Sequence, residues 1–250
     1  MIKAILTGHT KGLGAAIAGE LLGRGIAVLG LARGAAPELA ARYPDPAVFE
    51  QVELDLADSA ALAAWIAGGA LAQGIAGCST VLLINNAGTV QPVGALALQD
   101  PLAVARALAL NIAAPLMLAG AVAAARALRC ECRILHVSSG AGRSAYPGWS
   151  VYCATKAALD QHARAVALDH DINLRICSLA PGVIDTGMQA EIRSLSLEQF
   201  PLREKFDDLK RAGALSDPAH CARQLVSYLL GAQFGSVPVD DLRSGAAASN

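Results

Sequence analysis

The sequence predicts an α/β protein with one doubly wound, parallel sheet and helices on both faces. Short apolar runs alternate with longer helical stretches along the whole chain of 250 residues. The runs are apolar at successive positions, as in strands that are buried on both faces. No linker, internal repeat or run of charge divides the chain, so residues 1–250 are expected to form a single domain.

The elements follow one another in regular order. Strands are predicted at 2–8, 26–33, 47–55, 80–88, 132–140, 172–182 and 236–242. Helices are predicted at 12–24, 35–42, 99–127, 150–170 and 217–231, with a further helix that begins at Asp58 or Ser59 as its cap. The segment after the sixth strand is expected to be irregular, and the small, polar tail at 244–250 to be loose. Right-handed crossovers between the strands give the doubly wound arrangement.

Composition excludes several classes of function. The chain is 54% hydrophobic and 16% charged, with a net charge of −1, so we expect no nucleic-acid partner. Its six cysteines are scattered without CxxC spacing, which predicts reduced thiols and no metal site. The N-terminus begins directly as a strand and shows no signal peptide, so the expected location is the cytoplasm.

One uncharged stretch approaches the length of a membrane span. Nineteen residues without a charge, 107–125, lie between Arg106 and Arg126. They carry Asn111 and Pro115, are mostly alanine, and lie within the regular alternation of strands and helices. We therefore predict a helix that is buried by the sheet on one side and by a second subunit on the other, and no membrane contact.

A glycine-rich turn joins the first strand to the first helix. The stretch LTGHTKGLG places Gly8, Gly12 and Gly14 there, with Thr10, Lys11 and Leu13 between and beside them. Glycines let the backbone approach a pyrophosphate, and the helix N-terminus stabilises the anion. The context of strand, turn and helix favours a dinucleotide site over a purely structural turn.

The residues after the second strand suggest which dinucleotide binds. An acidic residue against the ribose 2′-OH is typical of NAD enzymes, but this strand ends in Ala32, Arg33 and Gly34. Arg33 and Lys11 suit a 2′-phosphate, so the predicted cofactor is NADP(H); the alternative is that both are solvated surface cations. Residues at two further strand ends are also expected to contact the cofactor. Asp55 would bind the adenine amino group, and the others are Leu56, Asn86, Ala87 and Gly88.

Four polar residues form a candidate catalytic group. Tyr152 and Lys156 are four residues apart on a predicted helix and share one face. Ser139 ends the fifth strand, thirteen residues before the tyrosine, and could meet both at the carboxyl edge of the sheet. Asn111 is polar within an apolar helix, where burial is unfavourable without a hydrogen bond; a kink beside Pro115 is the alternative explanation.

Together these motifs resemble the short-chain dehydrogenase/reductase family over nearly the whole chain. The shared features are Thr7-Gly8-x-x-x-Gly12-x-Gly14, Asn85-Asn86-Ala87-Gly88, Asn111, Ser139, Tyr152-x-x-x-Lys156 and Pro181-Gly182, in order and at family-like spacing. The resemblance implies a Rossmann fold with seven parallel strands and a nicotinamide cofactor, which Pro181, Gly182, Val183 and Thr186 would also contact. It further implies a homodimer or homotetramer formed through the helices at 99–127 and 150–170.

The resemblance also implies a role for each catalytic residue. Lys156 would lower the pKa of the Tyr152 phenol, ordinarily about 10, and bind the nicotinamide ribose. Tyr152 would donate a proton to a carbonyl oxygen that Ser139 also hydrogen-bonds. Asn111 would hold a water molecule that links Lys156 to solvent.

The last third of the chain resembles the sepiapterin reductase and benzil reductase branch. The shared features are Asp185-Thr186-x-Met188-Gln189, Gly213-x-Leu215-x-Asp217 and Val239-Asp240. By resemblance, residues 183–215 form a substrate lid and Asp240 anchors a pterin amino group, unless it merely completes the last strand.

The predicted substrate is a small-molecule carbonyl compound, most simply a vicinal dicarbonyl or a pterin side-chain ketone. Ser139, Trp149, Tyr152, Met188 and Asp240 are expected to contact it. Two alternatives remain open: another carbonyl class such as 3-oxoacyl thioesters, and a non-catalytic NADP-binding sensor on the same fold.

Overall fold

The structure, a computed structural model, describes residues 1–243, and the predicted loose tail lies outside the described residues. It contains a seven-stranded, all-parallel sheet in the order β3-β2-β1-β4-β5-β6-β7. The predicted fold class is therefore confirmed. The strand order reverses between β1 and β4, which is where a doubly wound sheet opens a crevice at its carboxyl edge.

The strands lie close to their predicted positions. They are β1 Ile2–Thr7, β2 Ala27–Ala32, β3 Phe49–Glu53, β4 Thr80–Asn85, β5 Glu131–Val137, β6 Leu174–Ala180 and β7 Val239–Asp241. The helices are α1 Gly12–Gly23, α2 Pro37–Arg42, α3 Ser59–Ala67, α4 Ala70–Ile75, α5 Pro101–Leu108, α6 Ala114–Ala125, α7 Ser150–Val166, α8 Gly187–Ser194, α9 Arg203–Arg211 and α10 Pro218–Leu230. Short 3₁₀ turns lie at Leu96–Leu98 and Gly140–Gly142.

Two apolar layers enclose the sheet. On one face, α1 and α10 pack on the strands through residues such as Ile17 and Leu225. On the other face, the core includes Leu62 of α3 and Leu118 of α6. Because each central strand buries side chains on both faces, the sheet is held from both sides and its carboxyl edge is left for a ligand.

Polar residues cap three of the helices. The Asp58 side chain accepts hydrogen bonds from the backbone of Ala60 and Ala61 at the start of α3, so Asp58 rather than Ser59 is the cap. Asp100 caps α5 and Asp217 caps α10 in the same way. These bonds satisfy helix N–H groups that lack an intrahelical partner.

The structure differs from the sequence-based elements in four places. A separate helix, α4, follows α3 where a single helix was predicted. The long helix predicted at 99–127 is interrupted by a turn of π-helix at Ala109–Ala113. The helix predicted to reach 170 ends at Val166. The segment after β6, expected to be irregular, contains two short helices, α8 and α9, which are eight and nine residues long and bury only Gln189, Ile192 and Phe206.

The stretch Pro101–Ala125 is long and apolar enough to cross a membrane, with a mean hydropathy of 1.9. In the structure, 39% of the most apolar 18-residue segment of this stretch is buried. Ala114, Leu118 and Val122 of this stretch pack into the core on the α3 face of the sheet. A core helix passes the same test of length and composition, so that test alone does not identify a span.

Gly30 of β2 provides a test of this packing. A Cβ added there would lie 2.5 Å from His9 Nδ1, and the His9 ring is fully buried. We expect Gly30→Ala to lower the Tm by roughly 3–10 °C, since overpacking a core costs about 1–3 kcal/mol. Gly19→Ala in α1, where nothing lies within 4 Å of the added atom, is the control and should be neutral or stabilising. Equal Tm values for the two variants, measured by calorimetry, would contradict this account.

Candidate active site

A cavity of about 1300 Å³ opens along the carboxyl edge of the sheet. Its size suits a dinucleotide together with a small substrate, since drug-sized ligands occupy roughly 300–1,000 Å³. The predicted site residues that line it are Gly8, Thr10, Lys11, Gly12, Leu13, Gly14, Arg33, Asp55, Leu56, Asn86, Ala87, Gly88, Ser139, Trp149, Tyr152, Lys156, Pro181, Gly182, Val183, Thr186 and Met188. Asn111 and Asp240 are the two predicted residues that do not line the cavity.

The glycine turn fits a pyrophosphate. Gly8 and Gly12 have φ values of 71° and 56°, a region that side-chain-bearing residues rarely adopt. A Cβ at Gly14 would collide with the carbonyl oxygen of Gly8 and lie 2.6 Å from Asn86 Nδ2. The first turn of α1 carries no acidic residue and its Lys11 cap makes no side-chain hydrogen bond, so the helix N-terminus remains positive.

Two exposed cations lie at the end of the cavity beside β2. They are Arg33 and Lys11, both in the cavity lining. The nearby acid, Asp55, is paired with Arg106 at 2.6 Å and accepts a hydrogen bond of 3.0 Å from the Ala57 backbone. Burial raises the pKa of Asp55, but these bonds and the Arg106 charge outweigh it and hold the pKa below its usual value. Asp55 is thus already engaged by a residue, Arg106, that the sequence did not single out.

His9 lies in the glycine turn but does not line the cavity. Its ring is fully buried against Gly30 and Phe49. Nε2 lies 2.9 Å from Gln51 Oε1, and burial lowers the pKa of the imidazole. The small Gly30 leaves the space that the ring occupies, so His9 supports the turn from beneath.

Tyr152 and Lys156 are both buried at the reacting end of the cavity. The Lys156 ammonium lies 5.6 Å from the centre of the Tyr152 ring. Burial raises the pKa of Tyr152 to about 12, and a hydrogen bond with the Ser139 hydroxyl opposes the shift. The expected lowering of the pKa below 10 by Lys156 is therefore not found, because desolvation dominates. The phenol is protonated at neutral pH and can donate a proton.

Lys156 is fixed at a strand end. Its Nζ donates a hydrogen bond of 2.8 Å to the Val137 carbonyl oxygen. Burial lowers the pKa of Lys156 to about 8, while Asp160, one helical turn further on, raises it. The lysine therefore loses its charge when the pH rises above about 8.

Asn111 lies in the π-helical turn and is 1% exposed. Its amide Nδ2 donates hydrogen bonds to the Thr89 carbonyl oxygen at 2.8 Å and to Thr155 Oγ1 at 3.2 Å, and its Oδ1 accepts from the Thr89 backbone N–H at 2.9 Å. A Cβ at Gly88 would lie 3.3 Å from Asn111 Oδ1 and 3.8 Å from Lys156 Nζ. Asn111 therefore lies directly behind the cavity wall, beside the lysine, and the π turn places it there.

An aromatic wall closes the reacting end of the cavity. Trp149 stacks on Phe200 with ring centres 4.6 Å apart and meets Phe206 at 5.5 Å and Tyr146 at 5.6 Å. Met188 and Ile192 of α8 contribute apolar side chains beside it. Sequence reasoning named Trp149 and Met188 but missed Tyr146 and Phe206, which no motif marked.

Asp240 lies in β7, outside the cavity lining. Its Oδ2 accepts a hydrogen bond of 2.8 Å from the Tyr228 hydroxyl, and its backbone carbonyl accepts one of 2.8 Å from Arg143. Asp240 therefore completes the last strand and does not line the cavity, and its predicted contact with substrate stays a prediction.

Comparison with known proteins decides the family. The family model described as short chain dehydrogenase matches residues 3–196. The chain belongs to the short-chain dehydrogenase/reductase family. Members of this family are oxidoreductases that act on carbonyl or alcohol groups with a nicotinamide cofactor, and the glycine turn and cavity described above fit such a cofactor.

Three relatives illustrate the similarity of this short-chain dehydrogenase/reductase to known proteins. It is 32% identical to benzil reductase ((S)-benzoin forming) of Bacillus cereus over 94% of this chain and 96% of the relative. It is 32% identical to sepiapterin reductase of Meriones unguiculatus, over 90% of both chains. A crystal structure of a short-chain dehydrogenase/reductase from Burkholderia vietnamiensis is 52% identical, covers 97% of both chains and superposes with a TM-score of 0.71.

The buried lysine gives this oxidoreductase a defined pH dependence. The pKa of Lys156 is about 8, so its ammonium is present below that pH and is lost above it, whereas Tyr152, with a pKa of about 12, stays protonated. We expect kcat/KM for carbonyl reduction to fall on the alkaline side with a midpoint near pH 8. A pH–rate profile checks this, and a flat profile between pH 7 and 10 would show that the Lys156 charge is not required.

Proposed function

We propose that the protein is an NADPH-dependent carbonyl reductase whose preferred substrate is an aromatic vicinal dicarbonyl. One observation carries the proposal: Ser139, Tyr152 and Lys156 face the same cavity as the wall formed by Trp149 and its aromatic neighbours. The polar group supplies proton transfer, and the aromatic wall supplies a surface on which an aryl ring can stack.

Each catalytic residue has a role that its surroundings support. Bound nicotinamide would supply the hydride. Tyr152 donates its phenolic proton to the substrate oxygen, and the Ser139 hydroxyl hydrogen-bonds the same atom and stabilises the charge that develops there. Lys156 binds the cofactor ribose and places a positive charge beside the phenol. Asn111 supports Lys156 from behind Gly88.

The site favours an aryl dicarbonyl over a pterin. A pterin needs polar partners for its ring, and the proposed partner Asp240 is held by Tyr228 outside the cavity lining. Aromatic side chains form the wall nearest Tyr152, and an aryl ring of the substrate could pack on them. The similarity to benzil reductase is in line with this preference.

The cofactor end of the cavity favours NADPH over NADH. Arg33 and Lys11 line it, and β2 ends without an acidic residue that could bind a ribose 2′-OH. The nearby Asp55 is neutralised by its ion pair with Arg106. A 2′-phosphate would therefore meet positive charge in this region.

We further propose a homodimer or homotetramer that works in the cytoplasm and contacts neither nucleic acid nor membrane. Leu102 and Leu108 of α5 are 79% and 41% exposed, and α5 packs beside α7. An apolar surface on adjacent helices is a typical subunit interface.

A substrate panel tests the reaction. We expect NADPH oxidation to be fastest with benzil, with kcat/KM at least about tenfold above the values for sepiapterin and acetoacetyl thioester. Those two compounds would lose polar contacts in this site, and such a loss costs about 1.4 kcal/mol or more. The matched control is Tyr152→Phe, which keeps the ring but should lower kcat by about 10²-fold or more while NADPH still binds. Preference for the thioester would identify the other carbonyl class. Tight NADPH binding without turnover of any substrate would favour a sensor.

A second measurement tests the cofactor preference. We expect Arg33→Asp to lower kcat/KM for NADPH by about 10–100-fold and to leave NADH within about threefold, because the substitution replaces attraction to a 2′-phosphate with repulsion. Arg42→Asp, a charge reversal in α2 that is not in the cavity lining, is the control and should change neither value. Equal values for NADPH and NADH in the unmodified protein would refute the proposal.

A further inference from the structure

Asp160 is a buried acidic residue that the proposed mechanism does not use. It lies on α7, one turn after Lys156, and is 1% exposed. Its Oδ1 accepts hydrogen bonds of 2.8 Å from Ser138 Oγ and 2.7 Å from Ser178 Oγ. Its Oδ2 accepts one of 3.1 Å from Arg143 Nε. An acid buried to this degree is unfavourable unless its bonds and charge are compensated, so its presence here requires an explanation.

Two of the partners of Asp160, Ser138 and Arg143, lie on either side of the catalytic residue Ser139. Ser138 directly precedes Ser139 and directly follows Val137, whose carbonyl oxygen binds the Lys156 ammonium. Arg143 follows the 3₁₀ turn Gly140–Gly142 that begins after Ser139. Asp160 therefore joins the end of β5 and the turn after it to the helix of Tyr152 and Lys156.

The turn after Ser139 also lies directly against α7. A Cβ at Gly142 would be 3.0 Å from Asp160 Oδ2 and 3.0 Å from the Lys156 carbonyl oxygen. With Ser178, the same carboxylate holds β6, the neighbour of β5 in the sheet. Loss of these bonds would free the Ser139 backbone to move relative to Tyr152, and displacements of about 1 Å reduce catalysis strongly.

The charge of Asp160 acts on Lys156 as well. The other titratable or charged groups around this pair are Tyr152 and His162 on α7, His136 on β5, Arg143 after β5, Cys177 on β6, and Asp240 and Asp241 on β7. Of these, His136 is buried and neutral, since burial lowers its pKa to about 3. For Lys156, burial favours the neutral amine and Asp160 favours the ammonium.

We propose that Asp160 is a positioning residue for the reaction, which aligns the Ser139 strand end with the Tyr152 helix and places a negative charge one turn from the Lys156 ammonium. This inference rests on the proposed carbonyl reduction, in which Lys156 must be charged and Ser139 must reach the substrate oxygen. Asp160 touches neither substrate nor cofactor in this scheme and acts only through its neighbours.

The test is Asp160→Asn, which removes the charge and keeps the size of the side chain. We expect the alkaline midpoint of kcat/KM to move down by about one pH unit, so that activity at pH 8 falls by about fivefold and the loss shrinks toward pH 6. KM for NADPH at pH 6 should stay within about threefold. Ser178→Ala is the matched control: it removes one hydrogen bond to the same carboxylate, keeps the charge and should leave the midpoint in place.

A second variant covers the case in which Asp160→Asn does not fold. Arg143→Gln removes the guanidinium that offsets Asp160 and should move the alkaline midpoint upward, the opposite direction. A folded Asp160→Asn protein, with unchanged circular dichroism and an unshifted midpoint, would overturn the inference. So would an Arg143→Gln midpoint that stays in place or moves down.

An NMR titration separates this inference from the proposed function. The Lys156 Cε resonance reports the lysine charge without any substrate. Its midpoint should fall by about one pH unit in Asp160→Asn and stay in place in Ser178→Ala. If no carbonyl compound is reduced but the NMR midpoint shifts, the proposed function fails while the effect of Asp160 on Lys156 stands. An unshifted NMR midpoint overturns the electrostatic role whatever the activity.

Discussion

The site depends on a set of hydrogen bonds between the ends of β1 and β4. Thr7 Oγ1 accepts bonds of 2.9 Å from the backbone N–H groups of Asn86 and Ala87. The side-chain amide of Asn86 (Nδ2) in turn donates hydrogen bonds to the carbonyl oxygens of Thr7 at 3.0 Å and Gly8 at 3.3 Å. These bonds fix the two strand ends at which the strand order reverses, and the crevice opens between the chains that leave them.

Both ends of the crevice follow from this junction. Because Gly8 is held against Asn86 and Ala87, the glycine turn starts α1 in a defined direction, with its N-terminus toward the cavity. On the other side of the crevice, Gly88 follows the same junction and forms part of the cavity wall. Asn111 and Lys156 lie next to Gly88. One short stretch of backbone thus sets the distance between the end of the crevice that binds anions and the end that donates protons.

Much of the fold and of the site was predictable because the features that determine them are local in sequence. Apolar runs located most of the strands, and the spacing of Tyr152 and Lys156 placed both on one helix face. The position of Asn111 was predicted, but its π-helical turn was not, because composition does not distinguish that turn from an α-helix.

The features of the site that the sequence did not predict depend on tertiary packing. His9 lies in the glycine turn by sequence but enters the space left by Gly30 on a different strand. Asp240 has a residue type suited to substrate binding, yet Tyr228 of α10 holds it outside the cavity lining. The aromatic wall joins Tyr146 and Trp149 from one segment with Phe200 and Phe206 from another, so no local pattern marks it.

Burial shifts the pKa values of the two titratable residues of the site, Tyr152 and Lys156, in opposite directions. Loss of hydration disfavours whichever form is charged, so the pKa of Tyr152 rises to about 12 while that of Lys156 falls to about 8. At neutral pH the phenol therefore keeps its proton and the amine keeps its charge. A deeper site would neutralise the lysine, and a more exposed one would let water compete for the substrate oxygen. Asp160 allows Lys156 to stay charged at the depth that a dry proton donor requires.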